Sequence, residues 1–249
     1  MYTYIVESDI NNKKYEADLV KIENRLIELE IRGRFEKLTI LKSLAETIKD
    51  AVRNKSETIV LIGTDKLINN AISTLAEFKT TVGIIPLGEP ILIAQSLGIP
   101  YGVQACDTLS ARITSSLDLG KVNNRYFLSA LHVPDCRTLT LDCDNQFQVS
   151  TVTPSTIDIS NFSEASNPHD GKLEVIVRPQ IEKSIFGFMK KPSYSKKSVF
   201  PFKKLTIRSG GDSMPIMADG ETIIKTPATI EVAPKRIRII VGKKRDFLN

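Results

Sequence analysis

The chain has 249 residues, of which 41% are hydrophobic and 25% are charged, and it carries a formal net charge of +5. This length and composition are typical of a globular protein of one or two domains and exclude a disordered chain. No apolar run approaches the roughly 20 residues that span a bilayer, and the first residues lack the basic start and apolar core of a signal peptide, so we expect a soluble, cytoplasmic protein.

The first half of the sequence alternates between predicted strands and helices. In chain order the predicted elements are a strand at 2–6, helices at 14–32 and 39–53, a strand at 58–62, a helix after Gly63 that continues to Phe78, a strand at 81–86 and a helix at 91–97. The first helix is expected to stop near Gly33. This alternation predicts an α/β domain with a mainly parallel sheet and helices on both faces. Such sheets bind ligands at the carboxyl ends of their strands, here near Gly63 and Gly88.

The second half of the sequence reads differently. Apolar and polar residues alternate at 139–141, 147–149, 173–177, 205–207 and 230–232, and turn-forming clusters separate these segments. The pattern predicts a C-terminal β-sandwich domain. We therefore predict an α/β domain over residues 1–128 and a β-sandwich domain over 129–234, and the tail 235–249 is a candidate to return to the first domain.

Cysteine and histidine are scarce. Cys106, Cys136 and Cys143 have no CxxC spacing, so a disulfide scaffold and a zinc site are both disfavoured and reduced thiols are expected. His132 lies in the apolar run FLSALHV and is predicted to be a packed strand residue rather than a catalyst.

Positive charge is concentrated late in the chain. Residues 183–208, which we call the basic aromatic block, contain eight Lys or Arg residues and no acidic residue, interleaved with Phe and Tyr. This mixture favours contact with lipid or with an anionic membrane surface, which for a cytoplasmic protein would be the inner membrane face. A β-hairpin with solvated lysines fits equally well, whereas nucleic acid is disfavoured because no recognisable binding module is present.

Five segments follow one another in a fixed order: VGIIPLG (82–88), SLGIP (96–100), ARITSSLDLGKVNNRYFLSA (111–130), NPHDGKLEVIV (167–177) and ADGETIIKTPATIEVAPKRIRIIV (218–241). Together they resemble the diacylglycerol kinase catalytic-domain family, the soluble bacterial lipid kinases related to sphingosine and NAD kinases. The resemblance implies an NAD kinase/diacylglycerol kinase-like fold, with a nucleotide-binding-like first domain and a lipid or substrate domain after it. It also implies ATP and Mg²⁺ as cofactors and a lipid hydroxyl as substrate.

The resemblance assigns nucleotide contacts mainly to two loops whose sequences differ here from those of the family. The implied contact residues are Gly63, Thr64, Asp65, Lys66 and Gly88 in the loops, together with Asn69 and Thr39. In the family the first loop reads GGDGT, but Thr64 and Lys66 replace two of its glycines and add bulk where phosphates approach the backbone. The second loop, PLGTGNDFA in the family, reads PLGEPILIA and gains Glu89. Either Lys66 meets a phosphate as a point charge or it is solvated.

Two motifs of the second domain match the family more closely. Asp219 and Glu221 lie in the family's Asp-Gly-Glu motif, and the resemblance makes Glu221 the proton acceptor from the lipid hydroxyl. Read alone, Asp-Gly is a hairpin turn signal. Asp170 matches an acidic ligand for a structural magnesium ion, although a metal-free turn fits the same residues.

Two functions remain open from the sequence. One is an ATP-dependent lipid kinase with weakened activity. The other is a non-catalytic pseudokinase that binds lipid or an anionic membrane, or regulates a true kinase, and the altered loops favour it. A homodimer is a further expectation.

Overall fold

The structure is a computed structural model that describes residues 1–39, 43–136, 138–162, 167–185, 189–194, 197–218 and 221–245, with the backbone alone at 135–136, 181–185, 189–194 and 221–223. The chain divides into two compact units. The first unit is Met1–Leu117 together with the chain from Lys235 onward, and the second is Asp118–Pro234.

The first unit is α/β, as the sequence predicts. Its elements are β1 (Tyr2–Val6), α1 (Glu16–Glu28), β2 (Gly33–Lys37), α2 (Leu44–Arg53), β3 (Thr58–Gly63), α3 (Asp65–Leu75), β4 (Thr81–Pro86), α4 (Leu92–Ser96), a 3-10 turn (Gly102–Gln104) and α5 (Ala105–Ala111). The parallel strand order is β2-β1-β3-β4, and the end of the last strand of the chain adds beside β4. Every residue of β3 and β4 is buried, because helices cover both faces of the sheet.

Three local predictions in this unit differ from the structure. The first helix ends at Glu28, and Glu30 (φ 59) rather than Gly33 turns the chain. Gly33 instead opens β2, an edge strand whose charged residues gave no apolar alternation. Helix α5 was also missed, since seven residues are too few for a helical period to stand out. Of the predicted helix 39–53, residues 40–42 lie outside the described residues, and α2 begins after Ser43.

The second unit is built from antiparallel strands. Its elements are β5 (Thr114–Val122), which begins in the first unit, β6 (Arg125–Phe127), β7 (Ala130–Cys136), β8 (Leu139–Cys143), β9 (Phe147–Ser150), β10 (Ser155–Ser160), β11 (Leu173–Ile185), β12 (Met189–Tyr194), β13 (Ser198–Phe202), β14 (Lys204–Ser209), β15 (Pro215–Ala218), β16 (Glu221–Lys225) and β17 (Ala228–Ile240). One sheet has the order β17-β14-β8-β9, and the other has the order β12-β11-β10-β7-β15-β16, with β13 also paired to β11.

The core of the second unit lies between these two sheets. Inward-facing residues alternate along each strand, as Leu131 and Val133 do in β7 and Leu205 and Ile207 do in β14. All four are almost fully buried. The predicted β-sandwich is therefore confirmed.

The structure describes the surroundings of two cysteines and of His132. Cys106 and Cys143 are free and buried, and burial raises their pKa values to about 12 and about 11, so both stay protonated near neutral pH. His132 lies in β7, as predicted, but its side chain is only partly buried. It is half exposed, and its Nδ1 lies 2.6 Å from the carboxylate of Asp158. Burial and the guanidinium of Arg178 lower the pKa of His132.

The last strand ties the end of the chain into the first unit. In β17, Arg238 lies opposite Thr81 of β4 and donates from its Nε to the Thr81 hydroxyl at 2.9 Å. Beyond the strand, the Gly242 N–H donates to the Leu97 carbonyl at 2.9 Å. A Cβ added at Gly242 would overlap the carbonyl oxygen of Gly98. The tail is therefore docked too closely for any side chain at Gly242.

Replacing Gly242 with Ala should destabilise the first unit by about 1–3 kcal/mol, the usual range for overpacking. Urea unfolding followed by circular dichroism measures the change. Gly211→Ala is the matched control, because a Cβ at Gly211 meets no atom within 4 Å and should change stability by less than about 0.5 kcal/mol. Equal unfolding midpoints for the two variants would contradict the close docking of the tail.

Candidate functional site

Two short loops meet at the carboxyl ends of the neighbouring strands β3 and β4. The first loop (residues 63–66) includes the first two residues of α3, and the second loop (residues 86–91) leads into α4. The backbone joins them twice: the Leu87 N–H donates to the Gly63 carbonyl at 3.0 Å, and the Asp65 N–H donates to the Pro90 carbonyl at 2.9 Å. The sheet thus brings Gly63, Asp65 and Gly88 together at one edge.

Asp65 caps the helix that follows the second loop. Its carboxylate accepts hydrogen bonds from the N–H groups of Leu92 at 2.7 Å and Ile93 at 3.1 Å, and the residue is 7% exposed. These two N–H groups belong to the first turn of α4, where no partner within the helix exists. The carboxylate therefore serves the N–H donors that a bound anion would otherwise use.

Glu7 has the same role at the start of α3. It follows β1 directly, is 5% exposed, and accepts the Thr64 N–H at 2.8 Å and the Thr64 hydroxyl at 2.9 Å. Sequence analysis did not single out Glu7. The available signal was its position immediately after a predicted strand of the parallel sheet, where ligand-facing residues collect.

The space over both loop glycines is filled by side chains of the same unit. A Cβ added at Gly63 would overlap the Glu7 carboxylate. One added at Gly88, which has φ +87, would lie 2.7 Å from Ile10 Cδ1 and 3.0 Å from Thr64 Cγ2. The Gly88 N–H donates to the Tyr101 hydroxyl at 3.1 Å. Both glycines are therefore already in close contact with protein atoms.

Comparison with known proteins identifies a family that matches the first half of the chain. The diacylglycerol kinase catalytic domain matches residues 2–122. Residues 2–122 belong to the diacylglycerol kinase catalytic-domain family. A diacylglycerol kinase from Bacillus subtilis is 30% identical over 104 residues, which cover 40% of this chain and 34% of that protein. One from Staphylococcus aureus is 26% identical over 115 residues, covering 44% and 36%. The aligned regions thus span about a third of the length of these curated relatives.

Solved structures show that the fold extends over the whole chain. A diacylglycerol kinase from Bacillus anthracis has a TM-score of 0.77 at 18% identity and covers 97% of each chain. An NAD kinase from Archaeoglobus fulgidus in complex with ATP has a TM-score of 0.57 at 14% identity, covering 98% of this chain and 95% of that one. At these identities the likeness shows the fold, which is that of diacylglycerol and NAD kinases.

As folded, the two loops do not fit a nucleotide phosphate. A phosphate there would need backbone N–H donors and open space beside the glycines. The N–H groups of Thr64, Leu92 and Ile93 already donate to carboxylates of this chain, and the space over Gly63 and Gly88 is filled. In the described structure these backbone donors are therefore satisfied within the chain.

The other candidates of the first unit lie around these loops without completing them. Lys66 is exposed on α3, and Asn69 is half-buried one turn further along the same helix. Glu89 is exposed in the second loop and precedes a cis proline bond. Thr39 is exposed and directly precedes the undescribed residues 40–42. The nucleotide roles of these residues stay predictions.

The candidates of the second unit are only partly described. Asp219 lies outside the described residues, and Glu221 opens β16, where the backbone alone is described. Asp170 is exposed, and its carboxylate accepts the Lys172 N–H at 2.9 Å. The buried carboxylate of Asp118, which sequence analysis missed, accepts the Gly171 N–H at 2.7 Å and so fixes the same turn.

Metal and membrane features can be judged only over the part of the chain that is described. Within it, no group of three His, Cys, Asp or Glu residues could hold a metal ion. Also within it, no helix is long and apolar enough to cross a bilayer. Most side chains of the basic aromatic block fall outside the described set, so its contacts stay a prediction.

Replacing Asp65 with Ala should destabilise the first unit by about 1–3 kcal/mol, because the N–H groups of Leu92 and Ile93 lose their acceptor. Asp65→Asn keeps one acceptor oxygen and should cost less. Thermal or urea unfolding of both variants checks the order. If Ala and Asn had equal and negligible effects, the capping role of Asp65 would be refuted.

Proposed function

We propose that this protein keeps the fold of a lipid kinase and recognises a lipid, but does not transfer phosphate from ATP. One observation carries the proposal: the Glu7 carboxylate accepts the N–H and the hydroxyl of Thr64 at the start of α3. This is the place where the family resemblance puts the nucleotide phosphates. An internal anion and an external one compete for the same donors.

Electrostatics supports the loss of nucleotide binding. Two like unit charges 4 Å apart repel by about 4 kcal/mol at an effective dielectric of about 20. A triphosphate brings several negative charges toward the buried carboxylate of Glu7, and the exposed Glu89 adds another negative charge on the second loop. Lys66, exposed on α3, is a positive charge in the first loop. One solvated lysine does not offset both carboxylates.

The lipid part of the proposal rests on the family and on charge. The matched relatives from Bacillus subtilis and Staphylococcus aureus are described as diacylglycerol kinases. The basic aromatic block, residues 183–208, offers lysines for lipid phosphates and aromatic rings for the interface. We propose that this block docks the protein on an anionic membrane surface, at the cytoplasmic face.

A second candidate function is ATP-dependent phosphorylation of a lipid hydroxyl. It is favoured by the retained Asp-Gly-Glu motif at 219–221 and by the fold shared with an NAD kinase solved in complex with ATP. In that case Glu221 would accept the proton of the lipid hydroxyl as its oxygen attacks the γ-phosphate. ATP with Mg²⁺ would supply the phosphoryl group.

Nucleotide titration separates the two candidates. We expect no saturable heat when the full chain is titrated with ATP and Mg²⁺ up to about 1 mM, the top of the usual KM range. We also expect no radiolabelled product with mixed diacylglycerol vesicles. Glu221→Gln is the matched control. If wild type labelled a lipid and this variant did not, the protein would be an active lipid kinase.

Vesicle co-sedimentation tests the docking surface. The full chain should bind vesicles that contain anionic lipid more tightly than neutral ones, and less tightly as salt rises. Changing Lys190 and Lys191 to Glu should weaken binding by about tenfold or more, since each lysine near the surface is worth about 1 kcal/mol. The same change at Lys49 and Lys79, both exposed in the first unit, should have little effect. Equal binding to neutral and anionic vesicles would remove the block as a docking surface.

A further inference from the structure

We propose that the connection between β1 and α1, residues 7–15, is a built-in substitute for the phosphate groups of a nucleotide. We call it the plug segment. Its Glu7 takes the place of a phosphate at the start of α3, and its Ile10 covers Gly88 in the second loop. The inference rests on the proposed loss of nucleotide use and names its cause. The Glu7 carboxylate occupies the site as an internal ligand. The first loop would bind an external anion if that carboxylate were removed.

Thr64 is arranged to hold an anion that comes from outside its own helix. It is the N-cap residue of α3, yet its hydroxyl makes no capping bond to its own helix. An N-cap hydroxyl ordinarily accepts an N–H of the first turn. Here both the hydroxyl and the N–H of Thr64 donate to Glu7 instead. The start of this helix therefore holds a negative group that comes from elsewhere in the chain.

Among the described residues, the partners of the Glu7 carboxylate are neutral donors. Burying a carboxylate that is only 5% exposed is costly unless hydrogen bonds or a cation accompany it. Among the residues that the structure describes, Glu7 has no ion pair with Lys or Arg. It is thus held in the way that phosphate is held at a helix start, by N–H and O–H donors and the helix dipole.

The backbone of the plug segment places both of its contacts at once. The Glu7 N–H donates to the Ile62 carbonyl at 3.0 Å, which continues the pairing of β1 with β3 by one residue. The N–H groups of Ile10 and Asn11 then both donate to the Glu7 carbonyl at 3.1 Å and turn the chain sharply. This turn carries Ile10, which is 2% exposed, against Gly88. One tight turn therefore covers both loops.

Removing the Glu7 carboxylate should open the anion site. We use inorganic pyrophosphate as the probe, because it is a phosphate chain without a base or ribose to find other contacts. The full-length Glu7→Ala variant is expected to bind pyrophosphate at least about tenfold more tightly than wild type in calorimetric titrations. Its melting temperature should rise by about 2 °C or more on adding pyrophosphate at constant ionic strength, while that of wild type should not.

Asp9→Ala is the matched control. It removes one negative charge from the same segment, but Asp9 is exposed, so the variant reports any general effect of net charge. It should bind pyrophosphate no better than wild type. Equal gains in Asp9→Ala and Glu7→Ala would overturn the inference. So would a folded Glu7→Ala protein that gains no affinity.

A conservative variant decides the case if Glu7→Ala does not fold even in pyrophosphate. Glu7→Gln keeps the size of the side chain and one acceptor oxygen but removes the charge. Amide hydrogen exchange at Thr64 should then become about tenfold faster, because a charge-assisted hydrogen bond is replaced by a weaker neutral one. Exchange at Ile62, inside β3, serves as the internal reference. Unchanged exchange at Thr64 would overturn the inference.

The outcome for this segment can be told apart from the outcome for the proposed function. Lipid phosphorylation by wild type would refute the loss of catalysis, whatever the variants do. If wild type neither binds ATP nor phosphorylates lipid, and Glu7→Ala gains no pyrophosphate, the proposed function stands and the plug segment is not its cause. Thr64 and Lys66, which replace glycines of the family's first loop, would then carry the loss.

Discussion

The hydrogen bonds from Thr64 to the carboxylate of Glu7 join the end of β1 to the start of α3, and the arrangement of both loops depends on them. A buried carboxylate costs several kcal/mol unless donors surround it. The start of a helix supplies such donors. The Thr64 N–H and hydroxyl at the start of α3 therefore find an acceptor in the Glu7 carboxylate, and the carboxylate finds its donors there. Asp65 and α4 repeat the same solution at the next strand. Two helix starts that could hold an outside anion each hold a carboxylate of the chain.

The residues that build the sheet are different from the residues of the two loops. The parallel sheet sets the loops beside one another because its strands are buried on both faces and joined by short connections. That constraint is met by apolar residues of the strands, such as Ile59 and Ile84, and not by the loop residues. The loops can therefore change while the fold of diacylglycerol kinases is kept, and a shared fold does not by itself carry a shared reaction.

The candidate site was predictable from the sequence only in part. The places of Gly63 and Gly88 follow from the strand pattern, since ligand sites lie at the carboxyl ends of parallel strands. The partners of the loops did not follow. Glu7 and Thr64 are 57 positions apart, and Asp65 is 27 positions from Leu92, so no local pattern links them. The resemblance drew attention to the residues of the loops rather than to the side chains that cover them.

By itself, the sequence determined the class of the fold, because hydrophobic periodicity depends on neighbours within a few positions. It located β3, β4 and the helix between them, and the alternating strands of the second unit. Only the tertiary structure decided the edge strand β2, the pairing and register of β17 beside β4, and the closing of the loops by Glu7 and Ile10. Each of these depends on contacts between residues far apart in the chain. Such contacts form once packing has fixed the sheet, and the local sequence does not record them.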